Sequence, residues 1–107
     1  MHAEPTAVLK VLSDPTRRAI FERLSRDGEM TVHALTDTSG VSQPAISKHL
    51  GALKIVGLVR GRRDGRETYY SAEPRALAPL MDWISFYSAF WHNRFDSLEA
   101  LLKRMDS

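Results

Sequence analysis

The stretch Thr38-Ser39-Gly40-Val41-Ser42-Gln43-Pro44-Ala45-Ile46-Ser47-Lys48-His49-Leu50 decides the fold. Thr38-Ser39-Gly40 reads as a tight turn carrying a glycine. Ser42 then caps a helix over about 43–55, with Pro44 in its first turn. Ile46, then His49 or Leu50, then Leu53 recur at spacings of three and four, which turns that face inward. Gly57 suits the stop after the helix. Upstream, Thr31 caps a shorter helix over about 32–37 that buries Val32 and Leu35. Two short helices joined by such a turn make a helix-turn-helix, whose second helix enters the major groove of DNA. The outward positions of that second helix are Gln43, Pro44, Ser47, Lys48, Gly51 and Lys54. All are small, polar or basic, and none is a carboxylate that phosphates would repel.

After this helix the period changes to two. Leu58 to Arg63 and Arg66 to Ser71 flank Asp64-Gly65, a strong short hairpin signal. Arg62, Arg63 and Arg66 crowd the tip, which favours contact with phosphates or the minor groove. A helix-turn-helix followed by a basic hairpin is a winged helix, so the expected class is mainly α (α+β). On the other side, residues 5–12 suit a helix with Pro5 in its first turn and Val8, Leu9 and Leu12 on one stripe. Asp14 and Pro15 restart the chain as N-cap and first helical residue. The helix that follows, about 15–26, turns Ile20, Leu24 and either Ala19 or Phe21 inward and ends at Arg26-Asp27-Gly28.

The end of the chain is more apolar. Pro74 and Pro79 suggest a capped turn, then a helix over about 79–104, about 40 Å long. Leu77, Ile84, Trp91, Leu98 and Met105 recur every seventh residue, joined by Leu80, Met81, Tyr87, Phe95, Leu101 and Leu102. Trp83, Phe86 and Phe90 widen the stripe. A helix wetted on most sides does not carry this load. Part of the stripe is expected on the core and the rest on the same helix of a second subunit, across a two-fold axis. The candidate pairing residues are Leu80, Trp83, Ile84, Tyr87, Trp91 and Leu98.

At 107 residues the chain has the size of one domain, expected over 1–107, with the core and wing in 5–73 and the pairing helix in 74–105. Its 15 basic and 13 acidic side chains give a net charge of only +2. The distribution is uneven. Residues 42–70 hold six basic side chains against two acidic ones, a net +4, which leaves −2 on the rest. A basic island favours a polyanion, most commonly nucleic acid. With no cysteine, disulfides, thiolate metal sites and cysteine nucleophiles are excluded. No apolar run is long enough to span a membrane, and Met1 to Pro5 lack the pattern of a signal peptide, so the cytoplasm is the expected location. No nucleophile–base spacing, phosphate-cradling loop or metal motif points to an enzyme, and no cofactor is expected.

Leu12 to Ile20 resembles the opening helix of ArsR–SmtB-family transcriptional repressors, and Val41 to Leu50 resembles their recognition helix. Leu53 to Val59 and the Asp64-Gly65 wing follow at the family's spacing, so the resemblance covers roughly residues 5–105. It implies a homodimeric winged-helix repressor on an inverted-repeat operator in double-stranded DNA, overlapping its own promoter. Carried over residue by residue, the DNA-facing set is Ser42, Gln43, Pro44, Ser47, Lys48 and His49, with Lys54 further along the helix and Arg62, Arg63 and Arg66 on the wing. Gln43 has the chemistry for adenine N6/N7, and Lys48 for guanine O6/N7 or a phosphate. Ser42 and Ser47 suit phosphate oxygens. Arg17 and Arg18 suit either a structural ion pair or DNA.

The departures bear on regulation. Metal-sensing members carry a cysteine pair before the recognition helix, where this chain has Met30 to Leu35 with His33 alone. A second family site needs Asp-x-His, but here Asp82-Trp83-Ile84 lacks the histidine, and His92 is followed three residues later by Phe95. His2 and His33 have no partner pattern. The C-terminal segment is similar to a subgroup without metal sites, which implies a repressor that does not respond to metal. The alternative is a repressor released by a small effector or metal at the C-terminal helices, with His92 and Asp96 or Glu99 as weak ligands across the dimer.

Overall fold

The computed structural model describes residues 4–106, and His2 lies outside them. Helix α1, Thr6–Leu12, is followed by α2, Pro15–Asp27. As its local chemistry requires, the Asp14 carboxylate accepts the N–H groups of Thr16 and Arg17 at 2.9 and 3.0 Å. Gly28, with φ of +86°, ends α2. A two-residue strand β1, Met30–Thr31, leads straight into α3, Val32–Ser39. Gly40 ends α3 in the left-handed region (φ +72°), and Ser42 caps the next helix, α4, Gln43–Ile55. The connection between α3 and α4 is therefore Gly40-Val41-Ser42, a three-residue turn.

Strands β2, Val59–Asp64, and β3, Glu67–Ala72, form the wing. They pair in register from Val59 opposite Ala72 to Asp64 opposite Glu67. The central turn residues are thus Gly65 and Arg66, one position beyond the Asp64-Gly65 centre expected. The shift puts Gly65, at φ +65°, in the one turn position with positive φ and leaves Asp64 in the ladder. On the far side β3 pairs antiparallel with β1, Met30 opposite Tyr70, giving the strand order β1-β3-β2. Such a short β1 carries no periodic signal and is absent from the sequence-based expectation.

The core draws on α1 to α4 and on the start of β2. Val8, Ile20, Phe21, Leu24, Leu35, Ile46, Leu50, Leu53, Leu58 and Val59 are buried together. Phe21, not Ala19, is the second inward residue of α2, and Leu50, not His49, is that of α4.

A one-turn 3-10 segment, Pro74–Leu77, leads to α5, Ala78–Ser85, and then α6, Ser88–Met105. The single helix expected over 79–104 is broken at Phe86-Tyr87. The Ser85 hydroxyl donates to the Asp82 carbonyl and the Ser88 hydroxyl to the Ser85 carbonyl, each at 2.8 Å. Side chains that bond the helix backbone in this way compete with it and bend it. Tyr87 adopts φ −99°, ψ 0°, and its N–H reaches back only three residues, to Ile84, at 2.9 Å. The stripe also packs less on the core than expected. Ala76 and Leu77 touch it and Leu80 is half-buried, but every residue from Met81 to Asp106 is exposed.

The molecule is correspondingly long. It measures 65 × 36 × 21 Å, with a radius of gyration of 18.8 Å. A compact chain of this length has about 13 Å.

Candidate nucleic-acid interface

Helix α4 is amphipathic in the sense that a groove-reading helix requires. Ile46, Leu50 and Leu53 anchor one face in the core. Gln43, Pro44, Ser47, Lys48, Gly51 and Lys54 are all exposed on the other. The Ser42 hydroxyl accepts the Ala45 N–H at 3.4 Å and is itself exposed at the helix start. The face that meets solvent carries two cations, an amide and hydroxyls, so it offers donors and no fixed negative charge.

His49 is placed differently from the rest of the expected set. It is half-buried, and its Nδ1 is enclosed without a hydrogen-bond partner among the described residues. Its charge bears on Asp14 at the start of α2. The Asp14 carboxyl is held below its ordinary value of 3.8, first by the Arg17 N–H. Burial opposes this as the next-largest influence, and the Thr16 N–H and the charges of His49 and Arg17 add lesser lowering effects. His49 thus belongs to the seam between α4 and the start of α2. No ion pair forms at Arg17 or Arg18 among the described residues. Arg18 donates to the Leu12 carbonyl at 3.1 Å, and the Arg17 Nε is buried without a partner.

The wing sorts its arginines. Arg63 reaches only the Gly65 carbonyl, at 3.4 Å, and Arg66 has no hydrogen-bond or ion-pair partner among the described residues. Arg66 borders a cleft of about 230 Å³ shared with Gln43 at the start of α4 and with Thr68 and Tyr70 of β3. Arg62 is fully engaged. Its Nε and one terminal nitrogen donate to the Glu29 carboxylate at 3.2 and 2.7 Å, and its other terminal nitrogen lies 3.5 Å from Asp64. Its guanidinium also sits 5.0 Å from the centre of the Tyr69 ring. The hydrogen-bonded Arg62 holds the Glu29 carboxyl below its ordinary 4.5, and Glu29 in turn raises Arg62.

Sequence reasoning missed Glu29 and Glu73. Glu73 lies 3.3 Å from Arg60. Both acids fall outside residues 42–70, so the count of a basic island could not register them. Of its six cations, Lys48, Lys54, Arg63 and Arg66 remain without an acidic partner among the described residues. Gly61 was also missed. A Cβ there would lie 3.2 Å from Tyr70 Cε1, so the absent side chain lets Tyr70 lie across β2.

On α5 and α6, Trp83, Ile84, Tyr87, Trp91 and Leu98 are all exposed, joined by Phe86, Phe90, Phe95, Leu101, Leu102 and Met105. On α6 the large apolar residues fall within one continuous face, as the 3.6-residue period requires. His92 and Asp96 form an exposed pair 3.4 Å apart, while Glu99 is engaged by Lys103 at 3.9 Å. Among the described residues no three metal-ligating side chains gather. No helix of the described residues is long and apolar enough to cross a membrane.

This geometry matches known proteins. Residues 12–62 match the family model of a helix-turn-helix domain. The chain is 36% identical over 77 residues to the transcriptional repressor SdpR of Bacillus subtilis, a match covering 72% of this chain and 84% of that protein. It is 40% identical over 74 residues to the HTH-type transcriptional repressor SmtB of Mycobacterium tuberculosis, covering 69% of this chain but about half, 54%, of that relative. Among solved structures it resembles an ArsR-like transcriptional regulator from Rhodococcus sp. RHA1. The TM-score is 0.70 at 32% identity, with 90% of each chain covered. With its winged helix-turn-helix and these relatives, the chain belongs to the ArsR–SmtB family of DNA-binding transcriptional repressors.

Proposed function

We propose that this protein is a homodimeric repressor, acting in the cytoplasm, that binds an inverted repeat upstream of its own gene and needs no metal to do so. The observation that carries the reading is the acid-free exposed face of α4 beside a wing whose Arg63 and Arg66 have no acidic partner among the described residues. In this reading Gln43 and Lys48 meet base edges, Ser42, Ser47 and Lys54 meet the backbone, and Arg63 and Arg66 follow the phosphates alongside. The apolar face of α5 and α6 supports a second copy as its cover. A contiguous exposed apolar face of this kind is rare on a monomer. A two-fold pairing would present two α4 helices, as an inverted-repeat site requires.

A thiolate switch does not fit this chain, because it has no cysteine. The remaining candidate, His92 with Asp96, is one exposed pair with no third ligand beside it among the described residues. No regulatory step is therefore routed through a metal.

Fluorescence anisotropy on labelled DNA from upstream of the gene tests the reading. Expected is sub-micromolar binding that weakens steeply with salt and is unmoved by zinc or by a chelator. Equal affinity for a scrambled duplex of the same length would overturn sequence-specific recognition.

A further inference from the structure

The wing projects beyond β1, so its outer half, from Arg62 round to Glu67, is held to the body by little besides its own ladder. One cross-link bridges that gap. Glu29 stands in the link between α2 and β1, and it receives Arg62 from β2 through two parallel hydrogen bonds, 33 residues apart in the chain. Bidentate pairing fixes the guanidinium in both direction and plane, which a single contact does not do. The ring of Tyr69, the cross-strand neighbour of Arg62, lies 5.0 Å from the same guanidinium, and Asp64 lies 3.5 Å from its other terminal nitrogen. The bidentate edge of the guanidinium is therefore taken by Glu29, and the remaining nitrogen already faces an acid. Among the described residues Arg63 and Arg66 hold no such partners. Side chains alternate along a strand, which puts Arg63 on the opposite face of β2 from Arg62.

We propose that Arg62 and Glu29 form a latch that aims the wing, and that Arg62 is a positioning residue while Arg63 and Arg66 supply the phosphate contacts. This rests on the DNA-binding reading above for its consequence, though not for the latch itself. The latch gives a prediction of unusual sign. Glu29→Gln removes a negative charge from a protein that binds a polyanion, so electrostatics alone would tighten binding. If the latch aims the wing, binding weakens instead.

The test uses the full chain and a mixed-sequence double-stranded oligonucleotide, titrated over a range of salt concentrations. Phosphate contacts are also made in non-specific binding, so the operator is not required. Arg66→Ala is expected to lower the slope of log affinity against log salt by about one unit per subunit. Arg62→Ala and Glu29→Gln are expected to weaken binding roughly threefold, the scale of an exposed ion pair, with the slope unchanged. Amide hydrogen exchange without DNA reads the latch separately. Both variants should speed exchange at residues 61–69 and leave α2 and α4 protected. Unchanged exchange in Glu29→Gln overturns the latch, and so does a slope loss in Arg62→Ala equal to that in Arg66→Ala. If the wild-type chain did not bind DNA at all, the functional reading would fail, while the exchange experiment would still decide whether the latch exists.

Discussion

In the proposed reading, single residues divide into those that would touch DNA and those that hold the touching residues in place. Lys48 is exposed on α4, away from the core, so Lys48→Ala should weaken operator binding by roughly tenfold and leave dimerisation and melting temperature unchanged. An unchanged affinity in an anisotropy titration would show that this face of α4 does not enter the groove. Asp14 acts behind the interface. Folding depresses its pKa, so its cap contributes fully above about pH 3.8 and is lost as pH falls through the still lower folded value. Asp14→Ala should therefore lower the melting temperature by a few degrees near neutrality and flatten its acid limb, measured by circular dichroism across pH. The three side-chain caps, Asp14, Thr31 and Ser42, were legible in the sequence, because a cap is local chemistry. The partner of Arg62 was not, because Glu29 lies 33 positions away and no local pattern links them.

Elements were legible in proportion to their length and periodicity. α2, α3 and α4 lie where caps and apolar spacing place them, to within about two residues. The hairpin was also foreseen, with its turn displaced by one position, so that Gly65 takes the turn position of positive φ and Asp64 stays in the ladder. The C-terminal helix was foreseen as continuous, since the heptad of Leu77, Ile84, Trp91, Leu98 and Met105 runs unbroken through the sequence. The break lies where Ser85 and Ser88 bond back to the backbone, a local feature that hydrophobic periodicity does not reveal. α5 and α6 are also the elements for which the proposed pairing matters most, since their large apolar residues are exposed. Trp91→Ala should cost the dimer about 2 kcal/mol, the scale of an aromatic anchor, and shift sedimentation toward monomer. A wild-type chain that sediments as a monomer at micromolar concentration would overturn the pairing.

At the scale of the whole molecule, the form is a small closed core with a long apolar arm. All ten buried core residues precede Arg60, and the arm beyond Leu80 contributes none of them. A chain built this way has a stability that rises with its own concentration if the arm pairs. The melting temperature should therefore increase with protein concentration in the wild type and lose that dependence in Trp91→Ala, as differential scanning calorimetry would measure. The sequence by itself determined the helix-turn-helix, its caps, its inward residues and the absence of any thiolate chemistry, since these depend on residue type and short-range spacing. Tertiary structure alone decided which cations of the basic island stay free, because pairing with Glu29 and Glu73 depends on strands brought together across the sheet. It also decided that the apolar arm finds almost no cover within its own chain, because burial is a property of neighbours in space and not of order along the sequence.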